Sequence, residues 1–87
     1  MQFSTQLASC TVGDIACNVY RVVHQTASEI TYQLHFTELP TGKHQTLLAE
    51  SENDAIYLFA AWLVLDEPDI GSSVRRLRSK LDFDFLP

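Results

Sequence analysis

The hydrophobic period of this chain changes once, at Ser51. Before it, apolar residues recur at alternate positions in short runs separated by turn formers. After it, they fill nearly every position of a helix-length stretch. Strands grouped first and helices grouped after them describe an α+β domain and not a βαβ alternation. The cleanest run is Ile30 to Leu39, with Ile30, Tyr32, Leu34 and Phe36 on one side and Thr31, Gln33, His35 and Thr37 on the other. Pro40-Thr41-Gly42-Lys43 reads as a four-residue turn and His44 to Glu50 as the returning strand. Pairing Leu39 with His44 then sets Phe36 opposite Leu47 and Leu34 opposite Ala49.

Upstream, Gln2 to Val12 and Ile15 to His24 flank Gly13-Asp14, a dipeptide suited to a two-residue hairpin turn with positive φ at the glycine. That turn sets Cys10 opposite Cys17 at a hydrogen-bonded site, with Cα atoms ~5.5 Å apart. The distance admits a disulfide, while two adjacent buried thiols are the simpler reading. Ala8, Val12, Ile15, Val19 and Val23 share the inward face with the cysteines. A polar connection, Gln25 to Glu29, joins the hairpins into a four-stranded antiparallel meander in order 1-2-3-4, one face buried and one wet.

Ser51 with Asp54 three residues on resembles a capping box, although Asp is shorter than the usual Glu or Gln. The helix it opens is apolar from Ala55 to Leu65, and Ile56, Phe59, Ala60 and Leu63 recur at helical spacing as the expected sheet-facing stripe. Tyr57, Leu58, Trp62 and Leu65 are then left to pack under a second helix, against the chain terminus or in another subunit. Asp66-Glu67-Pro68-Asp69 ends the helix, since Pro68 restricts its predecessor and cannot continue the ladder. A second helix is expected from near Asp69 to Ser73 up to about Leu81, with Val74, Leu77 and Leu81 as its apolar edge. The alternation from Asp82 to Pro87 fits a short C-terminal edge strand or an extended tail that docks Phe83 and Phe85. The expected architecture is ββββαα, a single domain over 1–87 with both helices packed on one face of the sheet.

Composition supports this scale. At 87 residues and 9.8 kDa the chain is too short for two domains, and with 46% hydrophobic residues, 3 Gly and 3 Pro it has the material for a core. The apolar run Ala55 to Leu65 falls short of the ~20 residues a membrane-spanning helix needs. Leu7-Ala8-Ser9-Cys10 matches a lipoprotein cleavage box, but no basic residue or apolar stretch precedes it. A cytoplasmic location with reduced cysteines is therefore expected.

The usual reactive constellations are not expected. In the register above His35 and His44 share the wet face ~13 Å apart, too far for one metal ion, and His24 lies on another strand. Cys10 and Cys17 fit no C-x-x-C pattern and have no histidine beside them to make a nucleophile. The glycines form no phosphate cradle. No catalytic, metal-binding or cofactor-binding residue is assigned, and the leading expectation is a non-enzymatic protein-interaction module.

Charge is distributed unevenly. The chain carries a net charge of -5, yet residues 74–87 hold four basic side chains, Arg75, Arg76, Arg78 and Lys80, against two acids, Asp82 and Asp84. On a helix these four form one broad cationic face. It reads as a solvated surface pairing with local acids, as a protein-binding surface, or as a nucleic-acid contact in a loose helix-turn-helix. The acidic body opposes the last of these. The partner-binding residues expected are Tyr57 and Trp62 as aromatic anchors, with Arg75, Arg76, Arg78, Lys80, Phe83 and Phe85. Their partner is another protein or a second copy in a homodimer, in the manner of an inhibitor or adaptor that works through charge complementarity. A nucleic-acid-associated regulator is the alternative.

Overall fold

A computed structural model describes residues 2–24, 29–65, 67 and 69–84, the last four of these by backbone alone. Strands β1 (Gln2–Val12), β2 (Ile15–His24), β3 (Glu29–Glu38) and β4 (His44–Ala49) form one antiparallel sheet in chain order, followed by helices α1 (Glu52–Leu63) and α2 (Ile70–Asp84). This is the expected ββββαα arrangement. Side chains of both helices join the sheet's inward residues in one core, so both helices cover the same face.

The first hairpin turns at Gly13, whose φ of 59° places it in the left-handed region that glycine tolerates. Val12 pairs with Ile15, Thr11 with Ala16 and Cys10 with Cys17. An extra β1 residue near Leu7 makes a bulge between Gln6 and Ala8, after which Gln6 pairs with Tyr20. Ile15, Cys17 and Val19 are buried, and Ala8 and Cys10 pack against them from β1. Val12 is exposed and Val23 only half-buried, so the inward face of this hairpin is covered at its centre and open at its ends.

The second hairpin departs from the expected register by two residues. His44 pairs with Thr37 and not with Leu39, Leu34 with Leu47, and Tyr32 with Ala49. Leu39 instead donates its N–H to the Asp14 carbonyl in the first turn, 2.8 Å away. The loop is then Leu39 to Gly42, closed by the bonds Gly42 N–H to Glu38 O (2.7 Å) and Glu38 N–H to Lys43 O (2.8 Å). Gly42 has a φ of 73°. A two-residue shift keeps every side chain on its own face, so the buried set is unchanged while the cross-strand neighbours change.

Ser51 caps α1 as expected, its Oγ accepting the Asp54 N–H at 3.1 Å. The face that α1 presents to the sheet is a correction. Ala55, Leu58 and Trp62 are buried, with Phe59, Ala61 and Leu65 packed at their flanks, whereas Ile56, Ala60 and Leu63 point away from the core. An almost wholly apolar helix offers no polar side to fix its rotation. The choice falls to volume: Ala55 admits close approach at one end, and Leu58 and Trp62 bury more surface than Ile56 and Ala60 would. The helix ends at Leu63, before Pro68 acts, with Val64 and Leu65 donating in a tightened last turn to Ala61 O (3.2 Å) and Trp62 O (3.0 Å).

Asp69 opens α2 by accepting the Ser72 N–H on Oδ1 at 2.7 Å. Buried Ser73 is satisfied by donating its hydroxyl to the Asp69 carbonyl at 3.0 Å. Ile70, Val74 and Leu77 enter the core. The helix continues through Asp84, so the backbone of Phe83 is helical and the expected strand or tail does not begin at Asp82. So short an alternating run does not outweigh the hydrogen bonds gained by extending an existing helix. Phe85 lies outside the described residues.

Candidate functional site

The structure separates the expected partner-binding residues. Trp62 is 3% exposed and wedged between Phe36, at 5.7 Å between ring centroids, and Phe59, at 6.0 Å. It belongs to the core. Tyr57 is on the outer side of α1, and Arg75, Arg76, Arg78 and Lys80 are all exposed on α2. The Phe83 side chain and the whole of Phe85 lie outside what is described.

Rotating α1 so that Ala55, Leu58 and Trp62 face inward turns Ile56, Tyr57, Ala60, Leu63 and Val64 outward. Val64 at the C-cap is 83% exposed. No charged residue occurs between Asp54 and Asp66, so this outer side is apolar from Ile56 to Val64 apart from the Tyr57 hydroxyl, where a surface helix ordinarily carries polar residues. Of the stripe that sequence periodicity named, Phe59 packs at the core's flank while Ile56, Ala60 and Leu63 face outward. The usable signal was the absence of any charged residue from Ala55 to Leu65, which ensures an exposed apolar side whichever way the helix turns.

The cationic face of α2 is partly neutralised. Arg76 Nε lies 2.6 Å from Glu67 Oε1. Asp69 has its carboxyl held below the ordinary value, chiefly by the Ser72 N–H, with Arg75 among the lesser causes. Residues 64–69 separate α1 from α2, longer than the three or four residues of a helix-turn-helix.

The sheet face opposite the helices carries all three histidines. His35 meets Tyr20 edge to face at 5.2 Å and lies 5.4 Å from His44 between ring centroids. The expected separation of ~13 Å is thus corrected by the same register shift that moved Leu39. Burial first, and the neighbouring His44 second, lower the His35 pKa from the ordinary 6.5. His24 stands apart, within hydrogen-bonding distance of Gln2 (3.1 Å) and Thr31 (3.2 Å). Among the described residues no group of three His, Cys, Asp or Glu side chains is placed to hold a metal ion.

Cys17 is buried beside half-buried Cys10, both as free thiols. Burial, and then Cys10, push the Cys17 thiol up to about 12. A nucleophilic cysteine needs the opposite shift. A shallow cleft lies between the second hairpin and the start of α2, bordered by Glu38, Lys43, His44, Asp69 and Gly71. Its carboxylates and cations are mixed, so it favours neither sign of ligand.

No family model matches the chain, and no curated protein or solved structure matches it. No helix among the described residues is long and apolar enough to cross a membrane.

Proposed function

We propose that this protein is a non-enzymatic interaction module that acts by binding another protein through the outer side of α1, as an adaptor or inhibitor does. One observation supports the reading: Ile56, Leu63 and Val64, with Ala60 and Tyr57 among them, form an exposed apolar strip on a helix whose opposite side already fills the core. Contiguous exposed apolar surface of this kind marks association sites. The partner it suits offers an apolar groove, into which a helix side docks through residues at i, i+4 and i+7 such as Ile56, Ala60 and Leu63. The acidic body favours a groove with a basic rim.

The test compares wild type with a Leu63→Lys/Val64→Lys variant in affinity capture, with and without nuclease. A specific protein retained by wild type, lost by the variant and insensitive to nuclease supports this reading. Retention that vanishes with nuclease and falls steeply with salt would instead move function to Arg75, Arg76, Arg78 and Lys80.

A further inference from the structure

We propose that the free edge of β1 docks a second copy of this chain, making a two-fold dimer whose sheet runs through eight strands. Strand order leaves β1 and β4 as the two edges. β4 has six residues and α2 packs against it. β1 has eleven, and the helices pack over β2, β3 and β4 instead. The inward face of β1 is consequently bare at both ends, with Phe3 54% and Val12 41% exposed.

Monomeric sheets protect such an edge with lysine, proline, inward-pointing charge, a bulge or a covering element. Gln2 to Val12 contains no charged residue and no proline. Its single irregularity is the bulge at Leu7, the strand's midpoint, which leaves a regular stretch on either side.

Charge selects a second copy as the occupant. At a two-fold seam each residue meets the same surface of its partner, so with a net charge of -5 a seam lined by the acidic body sets like charges against each other. The uncharged β1 avoids this and is complementary to itself. The size fits a weak, concentration-dependent pair: eleven residues extend ~37 Å, and a bare sheet edge about 10 Å thick gives roughly 370 Å² per copy, below the standard specific interface.

Sedimentation equilibrium tests the proposal, with twice the 9.8 kDa chain mass expected for wild type. Counting from the two-residue turn, Ser9 and Thr11 occupy non-hydrogen-bonded pairs with Asn18 and Ala16, so their N–H groups point outward. Ser9→Pro therefore spares the β1–β2 ladder and blocks the edge, and it is expected to weaken self-association at least roughly tenfold, or 1.4 kcal/mol. Amide exchange gives a second readout that needs no variant: Ser9 and Thr11 should be protected in concentrated protein and exchange quickly on dilution. A wild type that stays monomeric at millimolar concentration overturns the proposal, as does a dimer whose Ser9 and Thr11 amides exchange freely. A dimer broken by Leu63→Lys/Val64→Lys but not by Ser9→Pro also overturns it. Loss of the dimer alone leaves the α1 reading standing, because partner capture reports on a separate surface.

Discussion

Phe36 on β3 and Trp62 on α1 meet edge to face, with ring planes at 69°. This contact sets the rotation of α1 on the sheet and so determines which of its apolar residues reach solvent. Trp62→Ala should cost about 3–5 kcal/mol in denaturant unfolding, the usual range for removing a large buried aromatic. Val64→Ser should change stability by less than about 0.5 kcal/mol. Equal losses from the two substitutions would mean that the helix is turned differently.

The paired histidines make stability depend on pH. His35 has a folded pKa below its ordinary 6.5, so the unfolded chain binds its proton more readily than the folded one. The contribution is full above about 6.5 and is lost as the pH falls through that value toward the lower folded pKa. In an NMR titration His44→Gln should raise the His35 pKa only part of the way to 6.5, because burial is the larger cause. An unchanged His35 titration in that variant would show that His44 does not act on it.

Ser51 holds the first turn of α1 through the Asp54 N–H. Ser51→Ala should destabilise the protein by about 1 kcal/mol, and Ser51→Asp should retain most of the stability, since both Ser and Asp cap well. Chemical denaturation of the two variants side by side checks this, and a harmless alanine would remove the cap from the account.

Cys17 should resist alkylation in the native state, because its thiol stays protonated well above neutral pH and its surroundings exclude reagent. In a Cys10→Ser background, labelling at mildly alkaline pH should be slow until denaturant is added. Rapid native labelling would indicate that the first hairpin opens locally.

Much of the fold was legible in the sequence because local chemistry decides it. Gly13-Asp14 fixes the first hairpin register, Ser51 starts α1, and the alternation in Ile30 to Phe36 identifies the inward face of β3. What sequence could not supply was tertiary. The alternation in β3 and β4 leaves their register open by two residues, and the pairing of Thr37 with His44 is what brings His35 beside His44. The rotation of α1 depends on how side-chain volumes fit the sheet, which periodicity cannot express in a helix without a polar side. The proposed surfaces were legible to the same uneven degree. The α2 cations stand exposed where their spacing put them, Trp62 went to the core, and the bare β1 edge follows from strand order combined with an uncharged sequence.

The Leu39–Asp14 bond joins the two turns. Its acceptor is a carbonyl inside the first turn and its donor opens the second loop, so one backbone contact ties together turns that lie 25 positions apart in the chain. That end of the sheet is therefore a single mechanical unit, in which a displacement at Gly13 is carried to Leu39 without passing through the core.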